Sequence, residues 1–322
     1  MRFLSIILTL LILSSCKIQP ERKVLFINSY HEGYGSSDDI TQGIREVFND
    51  QDIKLKIFYM DSKRNNSQQY LENVVREALE LIQSYNPDLI IASDDNAVSQ
   101  IVAPFLKETH IPVVFCGVNW SCEPYGLPVS NITGMLEMLP FREGIEMFMP
   151  YFPDSKEITI ISENTASEQK NIEYLEQLTV AMNMEMQYIL VDDFNAWKEA
   201  FTHANFYSDM IYMPTNGAIK NWDHEEAVKF IKASIKVPVL TCDDFMMPYC
   251  VFGLTKIQQE QGIWAAETAL KILQGQNPKE IPVARNQQTR AWFNKDLAEI
   301  ITFEPGHEFI ANCTIIDSNN GR

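Results

Sequence analysis

Residues 24–48 read VLFINSYHEGYGSSDDITQGIREVF, and the way this stretch divides decides the fold. Val24 to Ile27 are four consecutive apolar residues ending in Asn-Ser, the pattern of a strand buried on both faces of a parallel sheet. A loop follows with Tyr30, His31, Gly33, Tyr34 and Gly35. Ser36, Ser37 and Asp38 then offer N-caps for a helix that carries Ile40, Ile44, Val47 and Phe48 on one face. The stretch is therefore a strand-loop-helix unit. In open α/β sheets ligands gather beyond the carboxyl ends of strands, so this aromatic and polar loop falls where such a fold places a binding site.

Working outward, the same rhythm repeats. Strands are expected at Lys54–Met60, Leu89–Ala92 and Pro112–Cys116, with helices at Gln68–Tyr85 and Asp95–Lys107. The segment 117–138, GVNWSCEPYGLPVSNITGMLEM, breaks this rhythm and reads as a crossing between lobes, being longer than ordinary β-α connections. A second alternating series then runs from helix 141–149 to strand 237–241. Val251–Leu254 reads as another crossing, and helix 258–273 as a return to the first lobe. The expected organisation is a signal at 1–16, a linker at 17–22, a first lobe of 23–118 plus about 255–284, a crossing at 119–138 and a second lobe at 139–252. Residues 285–322 are left without a lobe. The fold class is α/β, with two Rossmann-like lobes of parallel strands around a ligand cleft.

The chain has 322 residues and is 46% hydrophobic, enough for more than one core. Its 43 acidic residues against 26 basic ones give a formal charge of -17, scattered instead of gathered in a tail. With no run of Lys or Arg to face a phosphate backbone, nucleic acid is excluded as a partner. The opening MRFLSIILTLLILSSC places Arg2 before an apolar run and small residues before Cys16, which reads as a lipoprotein signal with Cys16 lipidated and membrane-held. An ordinary signal peptide or an uncleaved anchor are the alternatives. Cys116 with Cys122, or Cys242 with Cys250, could pair, but their strand-end neighbours favour buried free thiols, and Cys313 leaves an odd number.

The residues that follow each expected strand carry the chemistry. They are Tyr30, His31 and Tyr34; Ser93, Asp94 and Asp95; Gly117 and Asn119; Glu163, Asn164 and Thr165; Thr215 and Asn216; Asp243 and Asp244. Aromatic faces with carboxylates and amides suit a small polar ligand, and few Arg or Lys in these loops disfavour a phosphate, so an amine, an amino acid bound through its ammonium or a hydroxylated compound fits better. Each Asp can equally serve as a helix cap, and a lone His31 as a structural hydrogen bonder. G-x-S-x-G, G-x-x-x-x-G-K-[ST] and a paired zinc-binding His are absent, so no nucleophile, base and oxyanion donor assemble and no cofactor or metal is expected.

The stretches NSYHEGYGSSDDITQGI, PDLIIASDD, IPVVFCGVN and SNITGMLE resemble the ABC-transporter substrate-binding lipoproteins that include tryptophan- and tyrosine-binding members, and the related sensor domains of histidine kinases. The resemblance covers Val24 to about Leu273. It implies a type I periplasmic-binding fold whose lobes close on a ligand, acting as a monomer that delivers it to an ABC permease. By position, Tyr30, Tyr34, Ser93, Asp94, Gly117, Asn119 and Glu137 would line the cleft with Asn164, Thr215 and Asp243; His31 joins them as a loop candidate. Trp120-Ser121-Cys122-Glu123 departs from the aromatic-amino-acid binders, and SYHEGYG is closer to the sensor-type members. A ligand-sensing lipoprotein acting through a separate receptor, and a hydrolase on the same scaffold, are the other readings.

Overall fold

The computed structural model describes residues 21–317; the signal segment, Cys16 and most of the linker lie outside them. The first sheet is built from β1 (Arg22–Asn28), β2 (Ile53–Tyr59), β3 (Leu89–Ser93), β4 (Val113–Asn119) and β5 (Ile132–Glu137). The second takes β6 (Glu157–Glu163), β7 (Glu185–Val191), β8 (Met210–Tyr212), β9 (Val239–Thr241) and β10 (Phe252–Lys256). β11 (Ala284–Arg285) returns to the first sheet, while β12 (Thr289–Asn294) and β13 (Thr314–Ile316) join the second. The orders are β11-β5-β4-β3-β1-β2 and β13-β12-β10-β9-β8-β6-β7. The strand pairs are parallel except β10 with β12.

Helices α1 (Gly35–Phe48), α2 (Gln68–Tyr85) and α3 (Asp94–Ala97) belong to the first lobe, and α4 (Phe141–Phe148), α5 (Ala166–Ala181), α6 (Phe194–Tyr207) and α7 (His224–Ser234) to the second. α8 (Gln258–Leu273) packs back on α1, and α9 (Lys295–Ile300) and α10 (His307–Ala311) lie between β12 and β13. The alternation of β1 explains why its lobe has two cores. Leu25 and Ile27 join Ile90, Ala92 and Phe115 on one face, and Val24 and Phe26 join Leu89, Ile91 and Val114 on the other. α8 can cover the second face because glycines meet at its crossing with α1. A Cβ on Gly262 would stand 2.0 Å from the Ile40 carbonyl oxygen. α2 shows local sequence control at both ends: Ser67 caps its start through Tyr70 N, and Asn86 ends it at φ 49°.

Three readings are corrected, and the C-terminal stretch left without a lobe gains one. The stretch 119–138 is no crossing: it carries the end of β4 and all of β5, whose six residues are buried in the first sheet. Pro124, Gly126 and Pro128 belong to the loop 120–131 that joins two parallel strands without a long helix, and Gly134 lies inside β5. Val251–Leu254 likewise runs into β10, inside the second sheet. The C-terminal stretch supplies β12 and β13 to the second lobe. At α1 the N-cap position is held by Tyr34, and Ser37 instead turns inward to Asn28, with Asn28 Nδ2 donating to Ser37 Oγ at 2.6 Å.

The chain passes between the sheets after β5, after β10 and after β11, and these passages are tied together. Met138 N donates to Asn286 Oδ1 at 2.6 Å, Asn286 Nδ2 donates to Met138 O at 3.2 Å, and Ile257 N donates to Gln288 O at 3.2 Å. Glu260 at the start of α8 accepts Gln287 N and Gln288 N. Three short bonded connections between two rigid lobes form a hinge. The described cysteines are free, with Cys116, Cys122, Cys242 and Cys250 buried.

Candidate functional site

The carboxyl ends of both sheets face each other across a cleft. From the first lobe come Tyr30 and Tyr34 after β1, Lys63 after β2, Asp94 after β3, Gly117 and Asn119 in β4, and Glu137 at the end of β5. The second lobe answers with Ser167, Glu168 and Asn171 on α5, Thr215 after β8, and Cys242 and Asp243 after β9. Lys256 and Gln258 stand at the hinge. The lobes lie close enough that this chamber holds only about 50 Å³ of open space.

Local structure fixes each group. Asn28 Oδ1 accepts Tyr30 N at 3.0 Å and so turns the loop after β1 toward the cleft. Asp94 adopts φ 74°, an uncommon conformation for a residue with a Cβ, and its carboxylate accepts the Tyr30 hydroxyl. Asp95 faces away from the chamber's lining. Its Oδ2 accepts Asn119 N and Nδ2 at 3.1 and 2.8 Å, and its Oδ1 accepts the Tyr125 hydroxyl.

Ion pairs span the lobes. Lys63 of the first lobe pairs with Glu163 at the end of β6; the two side chains are 6% and 0% exposed. The Lys63 ammonium also lies 5.2 and 5.0 Å from the ring centres of Tyr30 and Tyr34. Lys256 bridges Glu137 of the first lobe at 2.9 Å and Asp243 of the second at 3.0 Å. At the rim Lys170 reaches Asp95 at 2.8 Å and Ser121 O at 3.0 Å. Trp120, on a first-lobe loop, buries its ring in the second lobe's core, stacks on Tyr174 and donates from Nε1 to Asn171 Oδ1 at 2.6 Å.

Carboxylates outnumber ammonium groups in the lining, where Asp94, Glu137, Glu168 and Asp243 meet Lys63 and Lys256. Burial, reinforced by neighbouring Asp95, pushes the Asp94 carboxyl up to about 7. Burial likewise lifts Asp243 to about 6, with Glu137 adding to it and Lys256 opposing. Glu168 is raised by burial and by Glu163. Burial alone would lower the Lys63 ammonium, but Glu163 and Tyr34 outweigh it and hold the group charged. For Lys256, Asp243 and Glu137 outweigh burial in the same way. Gln258, 7% exposed, lines this chamber and holds a buried side-chain oxygen without a hydrogen-bond partner.

Of the eleven residues expected to line the cleft, Tyr30, Tyr34, Asp94, Gly117, Asn119, Glu137, Thr215 and Asp243 are brought to one chamber. Three are not. His31 stands outside it, its Nδ1 3.5 Å from Asp61. Ser93 is sealed in the sheet, where its carbonyl accepts from Ser29 Oγ at 2.7 Å. Asn164 is exposed and donates to Asp192; strand alternation turns its neighbour Glu163 inward in its place. Sequence reading missed Lys63, Lys256, Glu168, Asn171 and Gln258. The apolar run before Lys256 marks a strand end, and following that strand to its last residue would have found it.

A family model described as ABC transporter substrate binding protein matches residues 31–303. The chain belongs to that ABC transporter substrate-binding family. The fold of this substrate-binding protein is that of the type I periplasmic binding proteins, with the ligand cleft between two lobes. A conserved domain protein from Vibrio cholerae superposes with a TM-score of 0.72 at 16% identity, covering 92% of this chain and 99% of that one. The ABC domain of Streptococcus pneumonia in complex with L-Trp gives 0.73 at 16% identity over the same shares. The leucine-binding protein LivK of Thermotoga maritima gives 0.57 at 11%, covering 79% and 83%. A search of curated proteins gave no match. The family is extracytoplasmic and substrate-binding, and among the described residues no helix is long and apolar enough to cross a membrane.

Proposed function

We propose that this substrate-binding protein captures a small amine-bearing solute in the interlobe cleft and presents it to an ABC permease. The observation that carries the reading is the excess of buried carboxylates in a chamber walled by tyrosines. An ammonium group would supply the missing charge and find both a π-face and an acceptor. In this reading Tyr30, Tyr34, Asp94, Gly117, Asn119, Glu137, Thr215 and Asp243 contact the solute, and Cys16 carries the lipid that holds a monomeric body at the outer face of a membrane. The hinge supports a population shift. Contacts to both lobes favour the closed form, which the permease then recognises.

A thermal-shift screen of the detergent-solubilised full-length protein against amines, amino acids, nucleosides and sugars tests it. Binding to the folded form alone adds about 2.7 kcal/mol of stability at a hundredfold excess over Kd. An amine that raises the melting temperature and is recovered unchanged is the expected result. A compound that raises it and is consumed would point to catalysis, and hits confined to uncharged or anionic compounds would refute the amine reading.

A further inference from the structure

One lysine of the cleft is surrounded as the amine of a ligand would be. Lys63 follows β2 in a turn that is held from both sides. Ser62 donates from N and Oγ to Ser29 O at 2.9 and 2.7 Å, while Asp61, at φ 48°, accepts Asn65 Nδ2 at 2.9 Å and Arg64 Nε at 2.7 Å. The Lys63 side chain lines the chamber and is 6% exposed. Its ammonium lies 5.2 and 5.0 Å from the ring centres of Tyr30 and Tyr34, donates to the Tyr34 hydroxyl at 3.2 Å and pairs with the Glu163 carboxylate. Ring faces, a hydroxyl and a carboxylate are the groups that recognise a primary ammonium. Both lobes build this box: the tyrosines come from the first and Glu163 from the second, whose Phe245 also meets the Tyr34 ring at 6.3 Å.

Glu163 depends on that cation. Its side chain is 0% exposed, Oε2 accepts Ala218 N at 2.6 Å, and Oε1 meets only Lys63 among the described residues. Glu168, near enough to be raised by Glu163, is held by Ser162, Asn171 and Tyr188 instead of a cation. The second lobe therefore brings buried carboxylates to the cleft, and the ammonium that offsets Glu163 crosses from the first lobe. A second grip runs the other way at the rim. Lys170 of the second lobe reaches Asp95 at 2.8 Å, Ser121 O at 3.0 Å and the Tyr125 ring centre at 5.1 Å, all in the first.

We infer that Lys63 is a tethered ligand: its ammonium fills an amine site that both lobes build, so that the protein favours its closed form before any solute arrives. The solute then binds without bearing the whole cost of closure, since the competent form is already populated. Self-closure of this kind holds whichever solute the cleft takes, so it goes beyond the amine reading and does not rest on it. Removing the Lys63 stem would leave a site for a free alkylammonium between Tyr30, Tyr34 and Glu163.

Acrylamide quenching of tryptophan in the detergent-solubilised full-length protein reads closure, because Trp120, 7% exposed, leaves the second lobe's core when the lobes part. Without solute, Lys63→Ala is expected to lose the protection of that tryptophan. Lys63→Met, which keeps the bulk of the stem and drops its charge, should lose it too, and serves if the alanine variant does not fold. Lys63→Ala removes the atoms of n-propylammonium, which is therefore the probe. At tenfold its Kd the probe should restore the protection and raise the melting temperature of Lys63→Ala by roughly 2–4 °C, while n-propanol does neither. The response should vanish in Lys63→Ala/Glu163→Gln. Variants as well protected as the wild type would overturn self-closure. A Lys63→Ala protein that ignores propylammonium, answers propanol equally or still responds after Glu163→Gln would overturn the amine site. An equal response of the wild type to propylammonium would overturn the tethered ligand and leave the amine reading standing.

Discussion

Replacing Glu163 by Gln removes the carboxylate that holds Lys63 across the cleft, and its effect can be worked from the geometry. Both side chains are buried, at 6% and 0% exposure, and they belong to different lobes. Removing one member of a buried pair costs about 3–5 kcal/mol, mostly because the other charge is left without a partner. That cost falls on the closed arrangement, since opening the hinge returns the Lys63 ammonium to water while each lobe keeps its own core. At about 1.4 kcal/mol per decade, the closed-to-open ratio should fall by roughly a hundredfold or more. A solute that needs the closed form loses apparent affinity in proportion to the competent fraction. Titration calorimetry with the best ligand of the screen reads the affinity, and small-angle X-ray scattering reads the opening. Adding Lys63→Met to Glu163→Gln removes the stranded charge and should recover at least tenfold of the loss. A Glu163→Gln protein with Kd within twofold of wild type and an unchanged scattering profile would refute the reasoning.

The raised carboxyls predict opposite pH trends for binding and stability. Amine affinity should weaken as pH falls from 8 to 5, because Asp94 at about 7 and Asp243 at about 6 then take up protons and lose their hold on a cation; constant affinity over that range would count against the site. The unliganded protein should gain stability from these two groups over the same descent, since the folded state binds protons that the unfolded carboxylates, near their ordinary value, do not. Melting curves between pH 5 and 8 measure that sign. Asn286→Ala removes two hydrogen bonds to Met138 at the hinge, and a melting temperature lower by a few degrees is expected in a thermal melt. Gly217→Val should impair closure more than folding. A Cβ there would stand 2.6 Å from the Tyr34 ring across the cleft, so calorimetry should show weakened binding at a melting temperature close to wild type.

Most of the architecture was legible because buried parallel strands and amphipathic helices leave strong periods. α2 and α8 fall on the residues that their patterns mark. β5 escaped because Ile132–Glu137 follows a Pro- and Gly-containing loop, so a short strand-to-strand link looked like a lobe crossing. β12 and β13 escaped because a partly exposed antiparallel strand and a three-residue edge strand carry little periodic signal. At the site, residues directly after long apolar runs could be found by position alone, as Tyr30, Asp94 and Asp243 were. Lys63 could not, because it lies in an irregular loop after the mixed-polarity β2, and only the approach of Glu163 from the other lobe gives it a role. The choice between Glu163 and Asn164 turned on where β6 ends, a single-residue matter that alternation decides and composition does not.

The central claim is that the cleft between the lobes holds a cationic solute, and a crystal structure of the protein with the tightest ligand of the screen tests it most directly. Closed lobes are expected, with the ligand nitrogen about 2.7–3.2 Å from carboxylate oxygens of Asp94 or Asp243 and against the Tyr30 and Tyr34 rings. A ligand bound outside the cleft, or one lying in it with its anionic group against Lys63 or Lys256, would rule out a cationic solute in the cleft.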